Sequence, residues 1–167
     1  MKGPSIRAVR PDDIPALLAI YGPIVRDTVI SFEYDIPTEA DFAERVARIT
    51  RTHPWLVCEI DGEVAGYAYG SPHRERKAYS WSADVSVYIG AAYRRQGIAR
   101  ALYRRLFDEL RDQGIRSIFA GVTLPNKSSV ALHRSFGFED VGVYRNVGFK
   151  FGEWHDVQWM QAEVSSS

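Results

Sequence analysis

Between Val85 and Leu110 the chain changes period. Val85-Ser86-Val87-Tyr88-Ile89 is a short run of strand character, whereas Ile98, Leu102, Leu106 and Leu110 recur every fourth position. A four-residue apolar repeat of that length marks an amphipathic helix with one buried stripe. Gly114 supplies its stop. The turn between strand and helix reads Arg94-Arg95-Gln96-Gly97-Ile98-Ala99-Arg100. The first amides of a helix have no partners within it, and the helix dipole adds partial positive charge there. A glycine lets a ligand approach the main chain, and the three arginines add full charges. The turn therefore suits an anion, most simply a pyrophosphate. A solvated basic loop is the competing reading of the same spacing.

The same two periods divide the rest of the chain. Ile6, Ala8 and Arg10 alternate with Arg7 and Val9 in a short first strand. "PDDIPALLAIYGPIV" follows with Ile14, Leu17, Leu18 and Tyr21 at helical spacing. "TVISFEYDIP" is irregular and carries Phe32 beside Glu33. A Thr-capped helix repeats Phe42, Val46 and Ile49. Asp61-Gly62 joins two strands as a hairpin. "AYSWSADVSVYIG" and "IRSIFAGVTL" are strands, "NKSSVALHRSF" is a helix stopped by Gly137, and two strands close the chain. The order is strand, helices, three strands, helix, strand, helix, two strands. It predicts a mixed α/β (α+β) fold with a largely antiparallel sheet, in one domain over residues 1–167 with a core from about residue 5 to 163.

Lys and Arg number 21 and so do Asp and Glu, which argues against a nucleic-acid binder. The single cysteine, Cys58, excludes an internal disulfide, and no histidine spacing matches a metal site. The N-terminus has no signal-like apolar core, and no apolar run is long enough to span a membrane. The expectation is a soluble, cytoplasmic, metal-free protein with a frayed "VSSS" tail.

With the elements placed, "RRQGIA" resembles the Arg/Gln-x-x-Gly-x-Gly/Ala signature of the GNAT superfamily of N-acetyltransferases. "HPWLVCEIDGEVAGYAYGSP", "AYSWSADVSVYI", "LPNKSSVALHRSFGF" and "VGFKFGEWHDV" look like the corresponding segments of phosphinothricin N-acetyltransferases and their methionine sulfoximine/sulfone-acetylating relatives. The match runs in register from about Ile6 to Met160. The resemblance implies the GNAT fold: a mostly antiparallel sheet with helices on both faces and a splayed central strand pair. It implies acetyl-CoA as co-substrate, with the pyrophosphate on Arg94, Arg95, Gln96, Gly97, Ile98, Ala99 and Arg100. The pantetheine arm then lies along the main chain of Val87, Tyr88 and Ile89, with Asn126 in contact. A homodimer is implied as well.

Acetyl transfer to an amine needs a held thioester, a deprotonated ammonium, a stabilised oxyanion and a protonated leaving thiolate. Asp84 is the candidate base; it stands where the resembled subfamily carries Glu, one methylene longer. His133 matches the subfamily's helical His, as acid toward the thiolate or base toward the amine. Asn126 lies seven positions earlier, about 10 Å along the helix. In relatives "SFE" and "SPHRERKAYSW" line the amino-acid pocket. Phe32, Glu33, Tyr79 and Trp81 are therefore candidate substrate contacts, Arg74 and Arg76 candidate carboxylate clamps, and Lys150 a further contact. His155 reads as structural. Cys58, between Leu56 and Ile60, reads as a buried filler, which favours direct attack in a ternary complex. The expected substrate is a small amino-acid-like molecule of the phosphinothricin, methionine sulfoximine or methionine sulfone type. Acetylation of protein N-termini or polyamines, and a silent CoA-binding sensor, are the alternatives.

Overall fold

In the computed structural model, which describes residues 3–164, seven strands and four α-helices alternate. They are β1 (Ser5–Ala8), α1 (Ile14–Asp27), α2 (Glu39–Thr50), β2 (Trp55–Ile60), β3 (Glu63–Pro72), β4 (Ser82–Ile89), α3 (Ile98–Asp112), β5 (Ser117–Thr123), α4 (Lys127–Ser135), β6 (Glu139–Lys150) and β7 (Glu153–Glu163). The three serines expected to fray lie outside the described residues. The strands make one sheet in the order β1-β2-β3-β4-β5-β7-β6, antiparallel except where β4 meets β5.

Local chemistry accounts for the boundaries. Asp61 and Gly62 both take positive φ, 51° and 83°, as a two-residue hairpin turn with right-handed flanking twist requires. Thr38 caps α2 by accepting the Asp41 N–H at 3.1 Å. Gly114 and Gly137 end α3 and α4 at φ of +94° and +86°. On the outer face of α3, Arg105 pairs with Glu109 and Arg111 with Asp108.

Helices cover both faces. Leu17, Tyr21 and Val25 of α1 and Phe42, Val46 and Ile49 of α2 pack on Trp55, Val57 and Tyr67. On the opposite face all four stripe residues of α3, Ile98, Leu102, Leu106 and Leu110, are buried against Leu56, Cys58, Ala68, Ile118 and Met160. Each such side chain contributes roughly 1.5–3 kcal/mol by leaving water. Cys58 is a fully buried filler whose thiol is pushed up by burial. Among the described residues, no helix is long and apolar enough to cross a membrane.

β4 and β5 pair only from Ser82–Ser117 to Asp84–Phe119. Beyond that point β4 stays bonded to β3 as far as Gly66–Ile89, and β5 to β7 as far as Thr123–Val157. The two central strands therefore part, and a wedge opens between them with Asp84 at its apex. The β6–β7 hairpin forms the other notable surface: Phe149 and Trp154, paired across it, are 47% and 62% exposed.

Candidate active site

The wedge is a built cleft. Near its apex a cavity of about 70 Å³ is lined by Val85, Val87, Tyr103, Val122, Asn126 and His133. Toward the helix ends it widens to about 470 Å³ between the end of β4, the start of α3 and the start of α4. Val87, Tyr88, Ile89, Arg94, Arg95, Gly97, Ile98, Ala99, Arg100 and Asn126 all line this wider part. Gln96 does not; it is exposed, and its amide donates to the Ala92 carbonyl at 3.4 Å.

The turn before α3 is shaped to present amides. Arg95 and Gly97 take φ of 62° and 77°, and Gly97, at the helix cap, has no side chain to satisfy the first N–H groups. The opening strand edge supplies further free main-chain groups, because β4 beyond Asp84 has a partner on one side only. Asn126 caps α4 by accepting the Ser129 N–H at 3.1 Å. Its amide nitrogen has no partner among the described residues. A long, anionic-ended thioester fits this arrangement: diphosphate at the α3 amides and arginines, arm along β4, acyl end at the apex.

His133 is buried, and both ring nitrogens are engaged. Nδ1 lies 2.7 Å from the Ser129 carbonyl and Nε2 lies 2.9 Å from Tyr103 Oη. A carbonyl only accepts, so Nδ1 carries the proton, Nε2 accepts, and Tyr103 donates. Burial lowers the His133 pKa, with the Ser129 carbonyl opposing, so the ring is held neutral. Tyr103, absent from the sequence-based candidates, thus stands with His133 at the cleft wall. Its phenol is raised, chiefly by burial. A tyrosine one place from Leu102 on the buried side of α3, needing a hydroxyl partner, was the available signal.

Asp84 has a partner that sequence reasoning missed. His73, just past β3, brings Nδ1 to 2.6 Å from Asp84 Oδ1. Burial pushes the Asp84 carboxyl up; His73, and then the charge of Arg74, pull it back. The His73 ring stacks on Phe119 at 4.2 Å, with Tyr79 and Trp159 edge-on at 6.0 and 6.2 Å. The signal lay in the hairpin register: Ser71 faces Asp84 across β3–β4, so the residue two further along is its diagonal neighbour.

The remaining candidates fall into two groups. Tyr79, Trp81, Arg74 and Arg76 stay exposed in the 73–81 loop; Arg74 donates to the His73 carbonyl at 2.7 Å. Phe32 packs on the closing hairpin so tightly that a Cβ at Gly148 would sit 2.3 Å from its ring. Glu33 is bound by Arg45 at 2.7 and 3.0 Å and by the Tyr21 hydroxyl, so it braces the 28–38 loop. Lys150 requires a correction. It is 2% exposed, and its Nζ donates to the carbonyls of Val25, Thr28 and Ser31, each at 2.7 Å. Its three N–H groups are taken up by the last turn of α1 and the loop that follows it. Among the described residues no group of three or more His, Cys, Asp or Glu side chains could hold a metal ion.

The family model of the acetyltransferase (GNAT) domain matches residues 6–159. The chain belongs to the GNAT acetyltransferase family. Among curated relatives, a phosphinothricin N-acetyltransferase of Alcaligenes faecalis is 38% identical over 164 residues, covering 97% of this chain and 83% of that protein. An L-methionine sulfoximine/L-methionine sulfone acetyltransferase of Salmonella typhimurium is 33% identical over 161 residues, covering 96% and 94%. Among solved structures, a phosphinothricin acetyltransferase from Sinorhizobium meliloti in complex with acetyl-CoA superposes with a TM-score of 0.94 at 34% identity, covering 98% and 90%. This GNAT chain is an acetyl-CoA-dependent N-acetyltransferase, and the expected mostly antiparallel fold with a splayed central pair is the one observed.

Proposed function

We propose that this acetyltransferase acylates the α-amine of a small amino-acid-like substrate of the phosphinothricin, methionine sulfoximine or methionine sulfone type, by direct attack in a ternary complex. One observation carries the reading: the wedge between β4 and β5 closes at the half-buried carboxylate of Asp84, beside a loop of exposed arginines and aromatics. Arg74 and Arg76 supply planar cations for an α-carboxylate. Phe32, Tyr79 and Trp81 supply apolar walls, and Asp84 supplies the basic side. The Tyr103–His133 pair is the hydroxyl–imidazole couple on the cleft wall, and we assign it to the departing thiolate. The free main-chain donors of β4 face the developing oxyanion, where fixed dipoles act most strongly.

Purified protein given acetyl-CoA and each of the three amino acids is expected to release CoA thiol, followed with a thiol reagent; no turnover with any of them rejects the substrate class. Asp84→Asn is expected to lower kcat by about 10²–10⁴-fold, the span of a positioned acid–base group, with acetyl-CoA binding kept. Unchanged kcat removes Asp84 from the mechanism.

The working unit we propose is a homodimer joined through the β6–β7 hairpin. Val143, Val147, Phe149, Phe151 and Trp154 are exposed there on the long edge strand β6, its turn and the start of β7, and such edges are normally covered. Light scattering is expected to give twice the 18.9 kDa chain mass; a concentration-independent monomer contradicts it.

A further inference from the structure

The acetyl-transfer reading leaves open which atom takes the proton, and the Asp84 neighbourhood answers it. The imidazole of His73 lies against the Asp84 carboxylate, with Nδ1 2.6 Å from Asp84 Oδ1. The ring is fixed on three sides, stacked on Phe119 at an interplanar angle of 18° and flanked edge-on by Tyr79 and Trp159. Its side chain keeps 14% exposure, and Nε2 has no hydrogen-bond partner among the described residues. A carboxylate that binds Nδ1–H fixes the tautomer, leaves Nε2 with a free lone pair, and stabilises the imidazolium formed when that lone pair takes a proton.

We propose that the base of this acetyltransferase is a His73–Asp84 dyad, in which Asp84 holds His73 Nδ1–H and His73 Nε2 removes the proton from the substrate ammonium. This rests on the acetyl-transfer reading and refines the role of Asp84 within it. Position supports it as well as contact. Asp84 is the last residue of β4 paired to β5, so the dyad stands at the apex of the wedge. His73 also opens the loop that carries Arg74 and Arg76, and Arg74 donates to the His73 carbonyl. The groups around the dyad are Asp84 from β4, Arg74 and Tyr79 from the 73–81 loop, Phe119 from β5 and Trp159 from β7. No carboxylate other than Asp84 bonds to the ring among the described residues.

The proton count closes. The ammonium gives one proton to Nε2, and the neutral amine attacks the acetyl carbon to form the C–N bond. As the C–S bond breaks, the second amine proton passes to the departing thiolate. The imidazolium then returns the first proton to water. The products are the N-acetyl compound, CoA thiol and one released proton.

Asparagine separates the two roles His73 could play, because its side-chain N–H₂ reproduces the donation to Asp84 but cannot accept a proton. Wild type, His73→Asn and His73→Phe are compared by kcat and KM from about pH 5.5 to 9, with thermal midpoints as the folding control. Both variants are expected to lose about 100-fold or more in kcat, to keep the KM for acetyl-CoA, and to lose the acid limb of the wild-type profile. A folded His73→Asn enzyme within threefold of wild type, with the profile unmoved, shows that His73 only holds Asp84 and overturns the dyad. A second readout needs no turnover. In ¹⁵N NMR, neutral His73 is expected to carry its proton on Nδ1, the nitrogen that faces Asp84 Oδ1. An Nε2–H tautomer overturns the proposal. A wild-type enzyme inert toward every amine rejects the acetyl-transfer reading instead, and the tautomer still decides the dyad.

Discussion

Replacing Lys150 by Met tests whether that lysine belongs to the fold or to the pocket. The methionine keeps most of the stem and deletes the ammonium, leaving the carbonyls of Val25, Thr28 and Ser31 without their donor. Each is a charge-assisted bond at 2.7 Å, contributing about 1.5–3 kcal/mol, while release of a buried ammonium offsets part of the sum. The net loss is about 3–5 kcal/mol, the range seen when one partner of a buried charged network is removed. In a domain of this size each kcal/mol moves Tm by about 2–4 °C. The expected fall is therefore on the order of 10 °C, with the urea midpoint reduced in step. Urea unfolding by circular dichroism measures it, with the amine KM taken in parallel. A stability change under about 1 kcal/mol combined with a tenfold rise in amine KM would refute the strut and return Lys150 to the substrate.

Two further outcomes follow from the geometry. A Cβ at Gly97 meets nothing within 4 Å, but φ there is +77°, so Gly97→Ala costs about 1–2 kcal/mol of backbone strain. It is expected to raise KM for acetyl-CoA several-fold with kcat nearly unchanged; an unaltered KM would remove the turn from the diphosphate site. Arg45 holds the Glu33 carboxyl below its ordinary 4.5, against the opposing effect of burial. A depressed carboxylate contributes stability above its unfolded pKa and loses it as pH falls through the folded value. The stability gap between wild type and Glu33→Gln is therefore expected to be full at neutral pH and to close as pH falls below the ordinary value of 4.5; a gap independent of pH contradicts the pairing.

Repetition made much of this molecule legible. The α3 stripe, the Asp61-Gly62 hairpin and the Thr38 cap each state one local rule, and each element formed where its rule put it. The turn around Gly97 was legible as a strand-to-helix junction, and its residues other than Gln96 line one cleft with the end of β4. The substrate half of the site was not legible. His73 and Asp84 are 11 residues apart, and their contact depends on strand register, which periodicity alone leaves free. Tyr103 and His133, 30 apart, meet only through the packing of α3 and α4 on the sheet. Lys150 misled for the same reason. The resemblance put Lys150, between Gly148 and Gly152, near the substrate, and nothing local announces three carbonyls more than 100 positions earlier in the chain.

The central claim is that the wedge between β4 and β5 carries the thioester to Asp84. A crystal structure of the protein with acetyl-CoA tests it most directly. The account predicts the diphosphate on the amides of Ile98, Ala99 and Arg100, the pantetheine arm hydrogen-bonded to the free edge of β4 at Val87–Ile89, and the acetyl carbon beside the His73–Asp84 pair. Acetyl-CoA bound outside the wedge, or bound there with its acetyl group turned away from Asp84, would contradict it.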